Sequence, residues 1–304
     1  MKRAAKASTW APQVQWRNGG LEFDAPRVMG VLNITPDSFS DGGRFLEPEA
    51  AVGHAHAMAE AGAAIIDIGA ESTRPGAPPV SASEELDRLL PVLERLVDEL
   101  EVPISVDTCK AEVIAAVTAA GASLINDVYA LRSPGALEAA AAAECAVCLM
   151  HMQGEPRTMQ TAPYYEDVVS EVCDFLEARA NVCVDAGIPS DHILIDPGFG
   201  FGKTGAHNLS LLRHLPELLD LGYPVLVGLS RKATIGVLSD VKKPEARLAG
   251  SLAAASLAVW LGASMVRVHD VAATVEALSI IHATRSLSDS GVRSSRINLS
   301  PASY

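Results

Sequence analysis

Apolar positions along the chain follow two alternating periods. From residue 27 onward, short runs rich in β-branched residues and leucine are separated by longer stretches with apolar residues at helical spacing. The short runs are RVMGVLN (27–33), AIIDIGA (64–70), PISVD (103–107), SLINDV (123–128), AVCLMH (146–151), HILIDP (192–197), PVLVGLS (224–230) and SMVRVHD (264–270). Each reads as a strand, and a helical stretch follows each one. The clearest helix spans 81–100, where Ser81 and Glu84 make a capping box and Leu86, Leu89, Leu90, Leu93, Leu96, Val97 and Leu100 share one face. Pro91 inside it predicts a kink. The pairs Ala61-Gly62, Ala120-Gly121, Ala186-Gly187, Leu221-Gly222 and Leu261-Gly262 mark helix ends, with glycine supplying a left-handed cap before the next strand.

Strand then helix, eight times in about 250 residues, predicts an α/β protein of the closed (β/α)8 barrel type in a single domain. An open doubly wound sheet would need fewer strands and a dedicated nucleotide fingerprint. The barrel is expected to occupy 27–285. Residues 1–26 precede it, and the Asn18-Gly19 pair between two short runs predicts a hairpin turn that places a plug at the N-terminal mouth. Residues 286–304, rich in Ser and Arg, read as a solvated tail. The segment 248–266 carries no Asp, Glu, Lys or Arg, but it is dominated by Ala, Ser and Gly and interrupted by Gly262. It reads as a buried helix running into a strand, not as a membrane span.

Charge and cysteine usage narrow the function. Lys and Arg number 24 against 37 Asp and Glu, a formal net charge of −13, which disfavours adhesion to nucleic acid or anionic lipid. Any anion bound must therefore be held by a local cationic site. Five scattered cysteines argue against a disulfide framework and for a reducing, cytoplasmic setting. Cys145 and Cys148 lie three apart on a predicted strand, so they face opposite sides and read as core, not as a metal site. The first residues, MKRAAKASTW, lack the apolar run of a secretory signal.

Barrels of this type keep their chemistry at the C-terminal ends of the strands. Those ends carry Asn33, Glu71-Ser72-Thr73-Arg74, Asp107, Asn126-Asp127, Met150-His151, Asp196, Ser230-Arg231-Lys232, and Arg267 with His269. Asp107, Asn126 and Asp196 are acceptors and an amide suited to a flat, hydrogen-bonding ring, since such groups are costly to bury unpaired. Arg74, Arg231, Lys232, Arg267 and His269, with Ser72, Thr73 and Ser230, suit phosphate or carboxylate oxygens. Asn33 adds a neutral oxygen of the kind a diphosphate-bound Mg2+ accepts. Two motifs are decoys. The run from Gly198 to Thr204 resembles a P-loop but has Pro197 where a Walker A glycine belongs, and Gly200-x-Gly202-x-x-Gly205 lacks a correctly placed acidic residue, because Asp220 precedes the next strand.

Eight segments, among them RVMGVLNITPDSFSDGGRF (27–45), DIGAESTRPGA (67–77), LMHMQGEPRTMQ (149–160), ILIDPGFGFGKT (193–204) and GLSRKATIG (228–236), closely resemble the dihydropteroate synthase family. The resemblance spans 27 to about 285. It implies a (β/α)8 barrel that condenses 6-hydroxymethyl-7,8-dihydropterin diphosphate with 4-aminobenzoate, releasing 7,8-dihydropteroate and diphosphate. By motif, Asp107, Asn126, Asp196 and Lys232 would hold the pterin, with Met150 packed on it. Asn33 would bind Mg2+, and Thr73, Arg267 and His269 the diphosphate. Phe201, Gly228, Ser230, Arg74 and Pro75 would line the remaining substrate site. Asp37, Phe39 and Asp41 belong to a first loop that, in the family, closes over the site. The resemblance also implies a homodimer and a sulfonamide target. The departures are Ala70, where glycine is commoner, and Ala233, where a serine is often found. A methyltetrahydrofolate-dependent methyltransferase and a noncatalytic pterin-binding paralogue are the alternatives; the first has no reason to carry the diphosphate set, and intact Asn33, Arg267 and His269 speak against the second.

Overall fold

The computed structural model describes residues 13–34, 48–71, 79–156 and 158–286. Its strands are β1 (Gln13–Trp16), β2 (Gly19–Glu22), β3 (Arg27–Asn33), β4 (Ile65–Gly69), β5 (Ile104–Asp107), β6 (Leu124–Asp127), β7 (Ala146–Met150), β8 (Ile193–Asp196), β9 (Leu226–Val227) and β10 (Met265–Val268). Its helices are α1 (Pro48–Glu60), α2 (Ala82–Glu99), α3 (Ala111–Ala119), α4 (Ala136–Ala143), α5 (Val168–Asp185), α6 (Gly205–Arg213), α7 (Leu215–Leu219), α8 (Ala233–Ser239), α9 (Leu248–Trp260) and α10 (Val271–Ser286). Strands β3 to β10 form one parallel sheet in the order β8-β7-β6-β5-β4-β3-β10-β9, and a parallel bridge between Ile195 and Val225 brings its two edges together. The result is the expected (β/α)8 barrel.

Strand parity sorts side chains between lumen and shell. In register order Met29, Val31 and Asn33 stand level with Ile65, Asp67 and Gly69, and these with Ser105 and Asp107 of the next strand. The alternate residues, such as Ile66, Ile68, Ile104, Val106, Ile125 and Val147, face outward into one large apolar cluster shared with the helices. Inside, the N-terminal layer is apolar: Met29, Ile65, Leu124, Cys148, Leu194, Leu226 and Met265 pack together with Val14 and Phe23. The layer above it is polar, and that gradient locates the site.

Strands β1 and β2 pair as a hairpin whose Val14, with nearby Phe23, packs on the apolar layer of the lumen, and its turn is displaced by one residue. Trp16 pairs with Gly19, so Arg17 and Asn18 form the turn. Gly19 is a strand residue opposite Trp16, and a Cβ there would lie 3.0 Å from the indole nitrogen, so glycine leaves room for the ring. The glycines after the helices behave as expected, Gly62, Gly121, Gly187, Gly222 and Gly262 all having positive φ. The capping box on α2 is only half made. Ser81 Oγ accepts from Glu84 N at 3.2 Å, whereas the Glu84 carboxylate turns to Arg88 one turn on. The helix runs through Pro91 without a break. Helix α9 is half-buried rather than buried: Ser251, Ala255, Ala258 and Val259 face the core, while Leu257 and Trp260 are exposed. Strand β9 is much shorter than the 224–230 run, because residues after Val227 leave the ladder to build the turn at Arg231.

Candidate active site

The centre of the lumen is a charge cluster. Arg267, from β10, donates through Nε to Asp67 Oδ2 at 2.6 Å and through Nη2 to Asp107 Oδ2 at 3.0 Å. Asp67 is wholly buried, and it also accepts from Ser105 Oγ at 2.6 Å and from Asn126 Nδ2 at 3.3 Å. With its nitrogen turned to Asp67, Asn126 keeps its oxygen free to accept from a ligand. Burial works against the Arg267 charge, but Asp67 and Asp107 outweigh it, so the guanidinium pKa is raised. Burial raises the Asp107 carboxyl, with Arg267 opposing and Asp67 adding. An arginine shared by two carboxylates still has donors left for an anion.

Asp196, at the end of β8, accepts from Gly198 N at 2.7 Å through Oδ1. Burial raises its pKa and the nearby Lys232 opposes that. Lys232 in turn has its pKa lowered to about 8, chiefly by burial. Gly228 adjoins both: a Cβ there would lie 3.9 Å from Asp196 Oδ2 and from Lys232 Nζ. A missing side chain beside an acceptor and an ammonium leaves room for a flat ring. Met150, on the next strand and level with Asp196, forms a small apolar cluster with Val128, Met152 and Met159, against which Phe201 packs.

Lys232 Nζ donates to the Phe199 carbonyl and stands 4.7 Å from the centre of the Phe201 ring. Ser230 Oγ bonds His269 Nδ1 at 3.0 Å and accepts from His269 N at 3.2 Å. Arg231 departs from its expected place in the cationic set. Its φ is +59°, and its guanidinium makes a two-pronged pair with Asp270 at 3.0 and 2.5 Å. The side chain thereby anchors the turn that presents Ser230 and Lys232. Asn33 ends β3 on the lumen-facing parity, half-buried. Asp37, Phe39, Asp41, Thr73, Arg74 and Pro75 lie outside the described residues.

Three features escape a reading of strand ends. Asp67 and Ser105 sit mid-strand, where a charged or hydroxyl residue on the lumen parity was the available signal. Asp127 stands at a rim position but faces outward, accepting from Tyr129 N at 2.7 Å and Leu131 N at 2.8 Å. Lys203, set aside with the P-loop decoy, is buried against His151 Nδ1 at 2.8 Å and three backbone carbonyls. Burial lowers the Lys203 pKa to about 7 and, with the Lys203 charge adding, that of His151 to about 3. The loop thus grips itself, and Thr204 closes it by capping α6.

A model of the pterin binding enzyme family matches residues 29–269. A dihydropteroate synthase of Escherichia coli (strain K12) is 53% identical over 266 residues, covering 88% of this chain and 94% of that protein. The chain belongs to the dihydropteroate synthase family. It is accordingly a transferase of the dihydropteroate synthase type. Dihydropteroate synthase of Haemophilus influenzae is 50% identical over 267 residues, covering 88% of this chain and 97% of that protein. The Xanthomonas albilineans dihydropteroate synthase solved with 4-aminobenzoic acid superposes with a TM-score of 0.87 at 53% identity, covering 92% of this chain and all of that one. The same synthase in complex with 7,8-dihydropteroate gives a TM-score of 0.84 at 51% identity, covering 91% of this chain.

The central ion cluster makes a measurable demand. Arg267→Ala leaves Asp67 buried and uncompensated and is expected to cost about 3 to 5 kcal/mol of stability, read as a lower urea midpoint. Adding Asp67→Asn should restore part of that loss. A double variant no more stable than the single one would show that Asp67 is not the stranded charge.

Proposed function

We propose that the chain joins 6-hydroxymethyl-7,8-dihydropterin diphosphate to 4-aminobenzoate, releasing 7,8-dihydropteroate and diphosphate, with the pterin seated in the lumen. The observation that carries this is that Asp196, Lys232 and Arg267 adjoin the side-chain-free wall at Gly228, while Arg267 is bonded to Asp107 directly and to Asn126 through Asp67. These groups offer ring N–H donors two carboxylates and an amide oxygen, and offer ring acceptors an ammonium. Met150 supplies an apolar contact for the ring face. Arg267 and His269, with Thr73, hold the diphosphate, and Phe201, Ser230, Arg74 and Pro75 hold the 4-aminobenzoate. Asp37, Phe39 and Asp41 belong to the loop that shuts the site from water.

The chemistry follows from weak nucleophilicity. An aniline nitrogen attacks poorly, so the methylene-to-oxygen bond lengthens early, its electron pair leaving with the diphosphate while the electron-rich pterin spreads the positive charge. The nitrogen lone pair then forms the new carbon–nitrogen bond, and the anilinium proton is lost. Arg267 stabilises the departing charge, and exclusion of water protects the cationic carbon. Among the described residues no group of three or more His, Cys, Asp or Glu is placed to hold a metal ion. A lone neutral oxygen from Asn33 fits magnesium, which takes most of its ligands from phosphate and water. Bound there, magnesium would neutralise charge on the diphosphate.

We place the protein in the cytoplasm. None of the five cysteines is in a disulfide, and among the described residues no helix is long and apolar enough to cross a membrane. A homodimer is favoured by Leu257 and Trp260 on α9 and Ile280 on the adjoining α10, large apolar side chains left exposed. A sulfonamide should compete with 4-aminobenzoate for its pocket.

Diphosphate release is the direct test: it should require both 4-aminobenzoate and Mg2+, and undiminished turnover in excess EDTA would remove the metal from the scheme. Asp196→Asn replaces an acceptor partly by a donor and is expected to weaken pterin binding by about 2 kcal/mol, measured by calorimetry. Unchanged affinity would take Asp196 out of the pterin site. Trp260→Glu should sediment as a monomer at concentrations where the parent chain is dimeric, and a monomeric parent would exclude the dimer.

A further inference from the structure

Five consecutive backbone carbonyls, from Gly198 to Gly202, each accept a hydrogen bond from a side chain. Lys203 Nζ donates to Gly198 O at 3.0 Å and to Phe201 O at 3.1 Å, and Tyr165 Oη to Gly202 O at 2.9 Å. Lys232 Nζ reaches Phe199 O, and Gln160 Nε2 reaches Gly200 O. Loop carbonyls ordinarily turn to water, so a loop with every carbonyl claimed by a side chain is held in one conformation. The glycines make this possible. At Gly198 a Cβ would lie 1.9 Å from His151 O, and at Gly202 one would lie 2.3 Å from Gln153 O. The loop is pressed onto the 151–165 segment, and its donors come from there, from its own lysine and from Lys232.

We propose that Lys203 is a positioning residue for the 4-aminobenzoate half of the site, fixing the backbone on which the Phe201 ring stands. The inference rests on the assignment of Phe201 to that pocket. Lys203 is 3% exposed, and keeping an amine so far from water is costly. What a nonpolar side chain in its place could not do is bind both ends of one turn. Phe201 N donates to Gly198 O at 3.1 Å, and Lys203 holds the carbonyls of those same two residues. The orientation of Phe201 Cα, and so of its ring 4.7 Å from Lys232 Nζ, follows from that clamp. Three of the four polar pterin groups do not depend on it in the same way. Asp107, Asn126 and Asp196 stand on barrel strands, where the ladder sets their direction.

Steady-state kinetics on Lys203→Met, Phe201→Ala and the double variant, with calorimetric pterin affinities, test the inference. Lys203→Met is expected to raise KM for 4-aminobenzoate about tenfold while pterin affinity stays within about threefold, and to have no further effect in the Phe201→Ala background. A structural role alone would not produce that split or that non-additivity. If Phe201→Ala leaves KM unchanged, the pocket assignment falls and the Lys203 inference with it. If Phe201→Ala raises KM but Lys203→Met does not, or the two effects add, the pocket assignment stands and Lys203 is not its positioning residue. Tyr165→Phe, which removes one hydroxyl from the same clamp, decides the matter should Lys203→Met fail to fold. A rise of about twofold in KM that vanishes with Phe201→Ala supports the clamp, and an unchanged KM overturns it.

Discussion

The guanidinium of Arg267, shared between Asp67 and Asp107, is the contact around which the barrel interior is arranged. A wholly buried carboxylate such as Asp67 is tolerable only when its charge is answered at short range and its remaining lone pairs are filled. Arg267 does the first, and Ser105 and Asn126 do the second. The contact reaches from β10 past β3 to β4 and β5, so it ties these strands together on the lumen side. Above it, acceptors and ammonium face an open end. Below it, apolar side chains and the hairpin shut out water.

That layering explains how a protein of net charge −13 would hold the proposed diphosphate substrate. The overall field repels anions, and screening limits its reach to about 8 Å at physiological salt. Within the lumen the balance is local. Lys232 and Arg267 stand among Asp67, Asp107 and Asp196, and burial makes each partner's charge count for more. The same carboxylates that hold the cations in place present acceptors to a ring. On the proposed assignment, binding chemistry and internal charge compensation are carried by one set of residues.

Positioning relies on two different devices. Strand residues inherit their direction from the ladder, as Asn126 and Asp196 do. Residues on the loops after β8 and β9 have no ladder and are held by side chains: Lys203, Tyr165 and Gln160 clamp the first loop, while Asp270, Arg247 and Ser251 pin Arg231 in the second. Each device depends on burial, since a clamp open to water would exchange its partners.

Much of this was legible in the chain. Period-two runs, helical spacing and a glycine after five of the helices are local signals, and the barrel with its strand-end chemistry follows from counting them, because backbone geometry couples each signal to one element. The loop motifs likewise identify the family, since substrate contacts demand particular side chains at particular spacings. What tertiary structure alone decided are the matters of partner choice. The Glu84 carboxylate left its capping box for Arg88, the hairpin turn fell one residue earlier with Gly19 paired to Trp16, and Arg231 went to Asp270 instead of the anion site. Asp67 and Lys203 gain their roles only from residues as far as 200 positions away in the chain. A sequence states which groups an element can offer, but which groups meet depends on closure of the barrel, and only closure removes the water that would otherwise satisfy each of them separately.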